Sequence, residues 1–223
     1  MQSYYLVGLD LGQATDFTAL AVLERPKPPP NPIYNLRHLQ RFTLGTPYTT
    51  IVPAVSQLVQ SRPLAGNVSL VVDQTGVGRA VVDMLRQSAG CHVVPITITA
   101  GQTINTPEDG SMNVPKKELV TCLQLLFQDR RLQIAKSLPD AKLLVRELSN
   151  FRVKITAAAN ETFGAWREGQ HDDLVLAVAL AGWFAERRCY GAFEVTEDPK
   201  SRSILYDMPD DLFITGPLFP ERR

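Results

Sequence analysis

Short, almost wholly apolar runs punctuate the first hundred residues. Residues 4–11 read as a buried strand that ends in Asp10-Leu11-Gly12. A turn near residues 12–16 leads into a second strand over 17–24. Pro26, Pro28, Pro29, Pro30 and Pro32 then make a stiff exposed loop. Residues 33–44 alternate loosely and read as a third strand, so these three form an antiparallel meander. The period then changes. Thr46 and Pro47 mark a helix start, with the helix running to about residue 61. Residues 68–72 are a buried strand ending at Asp73. Gly76 and Gly78 turn the chain into a helix over 79–88, and 91–97 form another strand. This order predicts an α/β fold: a mixed five-stranded sheet, three antiparallel strands then two parallel, flanked by helices.

Beyond it, residues 101–113 are polar with Gly, Pro and Asn, and read as a loop. Leu119, Cys122, Leu123 and Leu126 fall at helical spacing within a helix over 115–128. A short strand follows at 132–135, then a helix over 139–149 with Leu143, Leu144 and Leu148 on one face. Residues 151–156 and 161–166 read as a hairpin. His171-Asp172-Asp173 opens a nearly all-apolar helix to about residue 187. The expected organisation is one domain over 1–190 and a loosely packed acidic tail over 191–223.

Composition narrows the classes. The chain has 223 residues, with Lys+Arg and Asp+Glu both 23. A zero formal charge argues against a protein that binds nucleic acid by bulk charge, but an average hides distribution. Residues 116–154 hold nine basic and four acidic residues; residues 191–223 hold four basic and seven acidic. Cys91, Cys122 and Cys189 lie far apart, with no Cys/His cluster, so neither a zinc site nor a disulfide framework is indicated and a reducing compartment fits. The longest apolar run, 174–185, is too short to span a bilayer. There is no basic, apolar leader at the N-terminus and no P-loop motif.

Four carboxylates carry the chemistry. Asp10 and Asp73 each end a buried strand. If the strands are parallel neighbours, both emerge at the carboxyl edge of the sheet, where open α/β sheets bind ligands. Asp172 and Asp173 start an apolar helix that has to pack on that sheet. Acids so gathered repel unless cations sit between them or some are protonated. Oxygen-only ligation suits Mg²⁺ or Mn²⁺, and two such ions form a phosphodiester clamp. Each acid has a plainer reading: Asp10, Asp16 and Asp73 as turn residues, Asp172 and Asp173 as helix caps favoured by the dipole. Lys116, Lys117, Arg130, Arg131, Arg152 and Lys154 are candidates to line a groove for DNA phosphates, or else a solvated face. His171 is a structural neighbour of the acids or an assistant to them.

Val7-Gly8-Leu9-Asp10, Val71-Val72-Asp73-Gln74-Thr75-Gly76-Val77-Gly78 and His171-Asp172-Asp173-Leu174-Val175-Leu176-Ala177 together resemble the nuclease domain of phage terminase large subunits. Val114-Pro115-Lys116-Lys117-Glu118-Leu119 and Asn150-Phe151-Arg152-Val153-Lys154-Ile155 are similar to that family too. The resemblance spans roughly residues 4–187. It implies an RNase H-like fold and metal-dependent cleavage of double-stranded DNA during packaging, with little sequence preference, in the cytoplasm of a bacterial host. By motif position Asp10, Asp73 and Asp172 would be metal ligands, Asp173 a neighbouring ligand or acceptor, and Asp16 an accessory acid. A separate packaging ATPase, a small terminase subunit or a portal would be partners. Full terminases place an ATPase motor before this domain, so the chain is expected to be a separately encoded nuclease, a split gene or an excised domain. The alternatives are a Holliday-junction-resolvase-like nuclease, an actin-like ATPase or sugar kinase, whose first phosphate loop Leu9-Asp10-Leu11-Gly12 with Thr15 and Thr18 resembles, or a non-catalytic DNA-binding module.

Overall fold

A computed structural model of the chain describes residues 3–12, 16–26, 31–76, 79–155, 161–165, 171–190 and 213–214. The elements run β1 (Tyr4–Asp10), β2 (Ala19–Arg25), β3 (Tyr34–Arg41), α1 (Tyr48–Gln60), β4 (Val68–Asp73), α2 (Arg79–Ser88), β5 (His92–Thr99), β6 (Met112–Pro115), α3 (Lys116–Gln128), β7 (Leu132–Ala135), α4 (Ala141–Asn150), β8 (Phe151–Ile155), β9 (Glu161–Ala165), α5 (Asp173–Tyr190) and β10 (Phe213–Ile214).

The sheet has the order β10-β7-β3-β2-β1-β4-β5-β6. Its centre is the expected five strands: β1–β2 and β2–β3 pair antiparallel, β1–β4 and β4–β5 parallel. The sheet is wider than that reading. β6 adds parallel to β5, and β7 adds parallel to β3. The sequence pattern ends the loop at 113 and starts the helix at 115, with no strand between them. Residues 112–115 pair because Val114 has a core position to fill, fully buried among α3 and α5. β8 and β9 form the expected hairpin as a separate two-stranded sheet. Of the expected tail, Phe213–Ile214 pair parallel with β7; the remainder of 191–223 lies outside the described residues.

Strand alternation sorts the core into two layers. Tyr5, Val7 and Leu9 of β1 and Leu70 and Val72 of β4 pack against Ile51, Val55 and Val59 of α1 and Val82 and Leu85 of α2. Leu6 of β1 and Val71 of β4 face the other layer, which is built on α5 with α3 and α4 beside it. Asp10 has the parity of Leu6, and Asp73 that of Val71. Both acids are therefore turned to the α5 side of the sheet. Gly8 lies on the same face. A Cβ there would sit 1.9 Å from the carbonyl oxygen of Ala177, so only glycine lets α5 pack this close to β1.

β3 reaches the same layer by an irregularity. Its register with β2 shifts between Val22 and Leu23, so that Arg37 has no register partner on β2, while its side chain pairs with Glu24 at 2.8 Å. Leu36 and Leu39 consequently both face α5. Arg41 shares the parity of Leu39, and Phe42 packs in the opposite layer. The bulge re-aims the end of the strand, as bulges beside functional sites commonly do.

Candidate functional site

Asp10 and Asp73 are direct register partners on adjacent parallel strands, whose axes lie about 4.8 Å apart. Asp10 is 8% exposed, and no hydrogen-bond donor reaches its carboxyl group among the described residues. Burial pushes its pKa well up, and the neighbouring charges of Asp73, Asp173 and Asp172 push it further, against the pull of Lys116. Asp73 is also raised, by burial, but the two Thr75 donors, the Lys116 charge and the Ile98 N–H oppose the shift. Thr75 donates to Asp73 Oδ1 from its backbone N–H at 2.8 Å and its hydroxyl at 2.5 Å. The Thr75 hydroxyl oxygen accepts in turn from the Ile98 N–H at 2.8 Å. The turn-residue reading of Asp73 thus holds for one of its oxygens: the turn orients the carboxylate.

The start of α5 answers the capping question differently for Asp172. Its backbone carbonyl accepts the first helical bond, from Leu176 N–H at 2.9 Å. The orphan N–H groups of Leu174 and Val175 donate to Glu147 Oε2, at 3.0 and 3.3 Å. A side chain from α4 therefore caps α5. The Asp172 carboxylate is left to accept from Lys116 Nζ at 2.8 Å, and that of Asp173 faces Arg41 Nη2 at 3.2 Å and His171 Nδ1 at 3.8 Å. Burial raises Asp173 to about 6 and Glu147 to about 7, in both cases against the opposing charge of Arg41. Arg41 donates from Nη2 to Glu147 Oε1 as well. Its guanidinium lies 4.5 Å from the Phe17 ring, which meets His171 edge-on at 4.7 Å. Asp16 is exposed, and its charge contributes to the raised pKa of Asp173.

The structure therefore brings Asp10, Asp73, Asp172, Asp173 and Lys116 to one sheet edge, with Asp16 within electrostatic reach. Lys117 follows on α3, where its ammonium donates to the Gln102 side chain. Arg130 and Arg131 are not brought there. Arg131 carbonyl accepts from Tyr34 N–H at the opposite end of β3, and its guanidinium grips Glu186 through two nitrogens at 2.8 and 2.7 Å. Arg152 and Lys154 fall on β8, and their side chains lie outside the described residues. Thr18 does not behave as a phosphate-loop residue: it is buried, and its hydroxyl closes the turn after β1 by accepting from Gly12 N–H at 3.1 Å.

Sequence reasoning missed Thr75, Arg41 and Glu147. Glu147 left a signal, because it lies three and four positions from Leu144 and Leu143 and beside Leu148, on the apolar stripe of α4. A charged residue on such a stripe calls for a buried partner.

The donor chemistry suits a hard divalent cation: oxygen only, with acids whose pKa values are raised first by burial and, at Asp10 and Asp173, further by neighbouring acids, a cost that a cation would relieve. Among the described residues no three such side chains converge tightly enough to hold an ion as they stand. Lys116 and Arg41 supply the positive charge at Asp172 and Asp173 instead.

No protein-family model matches the chain. Over 212 residues, 93% of its length, it is 26% identical to the terminase large subunit of Thermus phage G20c, and likewise to that of Thermus virus P23-45. The solved large-terminase nuclease of phage G20c superposes with a TM-score of 0.58 at 25% identity, covering 80% of this chain and 81% of that one. The chain resembles a terminase nuclease in both sequence and fold. It spans 38% of the length of the full terminase subunits it matches. The fold is RNase H-like, and it is shared with the P22 large terminase nuclease domain (TM-score 0.52, 14% identity, 84% and 83% covered). The Mn-soaked human cytomegalovirus terminase nuclease domain shares it too (0.54, 13%, 86% and 89%). Among the described residues no helix is long and apolar enough to cross a membrane.

Proposed function

We propose that the chain is a divalent-cation-dependent endonuclease that cuts double-stranded DNA with little sequence preference, as the nuclease part of a genome-packaging terminase. The observation that carries this reading is the register pairing of Asp10 with Asp73, facing the Asp172–Asp173 start of α5. A relative solved after Mn soaking supports the choice of Mg²⁺ or Mn²⁺. Asp10, Asp73, Asp172 and Asp173 would hold the ions, with Asp16 an accessory acid. When bound, two such ions supply an activated water and a stabilised leaving oxygen.

The chain's own residues do the rest. Burial of Asp10 and the two hydrogen bonds from Thr75 to Asp73 hold two carboxylates in fixed directions. Glu147 anchors the helix that carries the other two. Lys116 neutralises part of the acidic cluster and, released from Asp172, would meet a DNA phosphate; Lys117 would meet the next. Such contacts carry no base reading, which fits non-specific cutting. The partners would be duplex DNA and, in the packaging assembly of an infected cell's cytoplasm, a motor ATPase, a small terminase subunit or a portal.

The test is plasmid cleavage with Mn²⁺, beside EDTA and Asp73→Ala controls. Linearisation that needs Mn²⁺ and disappears in Asp73→Ala is expected. Cleavage that survives the substitution, or none in any metal and salt condition, overturns the reading.

A further inference from the structure

We propose that Arg41 and Glu147 are a positioning pair that sets how strongly the Asp173 carboxylate can hold a divalent cation. The proposal rests on the nuclease reading above. Arg41 arrives at the site because the β3 bulge gives the end of that strand the parity of Leu39. One of its nitrogens, Nη2, serves two acids, Glu147 and Asp173. Asp140 Oδ2 accepts from the Arg41 backbone N–H at 3.1 Å, and the Phe17 ring lies against the guanidinium, so the side chain is held from several directions. Glu147 is equally fixed. One oxygen meets Arg41 and the other takes the first free N–H groups of α5. The same carboxylate thus fixes where α5 begins and how much of the Arg41 charge is left for Asp173.

The consequence is a division of one positive charge between two negative ones. With both acids charged, Asp173 is only partly neutralised and keeps attraction for an incoming cation. If Glu147 loses its charge, the whole guanidinium falls to Asp173 and competes with the cation. If Arg41 is then removed as well, the competitor is gone. A pair that merely held the fold together would behave otherwise: each loss would weaken the site, and the double loss would weaken it at least as much as the single one.

The experiment uses the full chain, Glu147→Gln and the double variant Arg41→Gln/Glu147→Gln. Glutamine keeps an amide oxygen that can accept from Leu174 and Val175 N–H, and in the double variant the one acid that loses its arginine is Asp173, which keeps His171 Nδ1 at 3.8 Å and is the group the cation would neutralise. Mn²⁺ affinity is measured by titration calorimetry and by the Mn²⁺-induced rise in Tm, with circular dichroism in EDTA as the folding control. Glu147→Gln is expected to raise the Mn²⁺ Kd on the order of tenfold, the scale of one screened charge interaction. The double variant is expected to bring it back to the wild-type value or tighter. An unchanged Kd in the single variant, a double variant as weak as the single, or loss of fold in both would overturn the positioning role. A wild-type chain that binds no Mn²⁺ at all would instead overturn the nuclease reading on which it rests.

Discussion

The two ends of helix α5 each bury a glutamate against an arginine, and the two pairs differ in how fully they are satisfied. At the C-terminal end Glu186, 1% exposed, takes two hydrogen bonds from Arg131 and a third from the Tyr34 hydroxyl at 2.6 Å. The arginine serves that carboxylate through both terminal nitrogens. About 20 Å away along the axis, Glu147 has Arg41 only in part, because Asp173 takes a share, and Asp173 is itself repelled by Asp172 and Asp10. The first pair is a closed network whose role is to hold β3, β7 and α5 together. The second is left with surplus negative charge, and such under-compensated clusters are where binding sites concentrate. Both are Glu–Arg pairs by type; what distinguishes them is the second acid, because Asp129, 3.6 Å from Arg131 Nε, is exposed, whereas Asp173 is buried and shares one Arg41 nitrogen with Glu147.

This contrast can be broken experimentally. The largest effect is expected from Asp10→Asn, which should reduce Mn²⁺-supported plasmid cleavage about 10³-fold, because a bound metal contributes several kcal/mol to the transition state. The Tm in EDTA should hold or rise, since a buried charge is removed; a large drop in Tm would move Asp10 from chemistry to structure. Glu186→Ala should do the reverse. Leaving Arg131 half-buried with only the exposed Asp129 beside it is expected to cost about 3 kcal/mol in urea unfolding, while the Mn²⁺ Kd of the folded fraction stays put. A changed Kd there would mean that the two ends are coupled through α5. Gly8→Ala pushes α5 away from β1 and is expected to cost about 1–3 kcal/mol, read from the urea midpoint, with loss of Mn²⁺ affinity because Asp173 rides on the displaced helix.

The smallest effect concerns pH. Asp173 at about 6 and Glu147 at about 7 are raised above their ordinary values of 3.8 and 4.5. The folded state therefore binds more protons than the unfolded chain between roughly pH 4 and 7. These groups favour the folded metal-free protein at the acid end, and that contribution declines as pH rises through the window. A Tm series in EDTA should show the decline, and saturating Mn²⁺ should flatten or reverse it. A metal-free Tm that rises steadily from pH 4 to 7 would show that the site is not under charge strain.

Much of the site was legible in the chain. Asp10 and Asp73 close apolar runs, and Asp172–Asp173 precede a helix with no polar face, so their convergence followed from strand order and from the need to bury α5. Arg41 was not legible, because its orientation depends on a bulge that no local pattern announces. The basic residues between 116 and 154 read as one block, yet Lys116 sits at the acids and Arg131 at the other end of the sheet. Charge along a chain says nothing about which end of an element points where.

The sequence by itself determined the alternation that makes the strands, the apolar surface that forces α5 onto the sheet, and the glycine at position 8 that allows contact. These are local properties, written in the spacing of side chains. Only the tertiary structure decided the register that sets Asp10 beside Asp73, the capping of α5 by Glu147, and the sharing of Arg41 between two acids. Those depend on pairings between residues up to 132 positions apart, where the energy of a contact exists only once the whole sheet has closed around it.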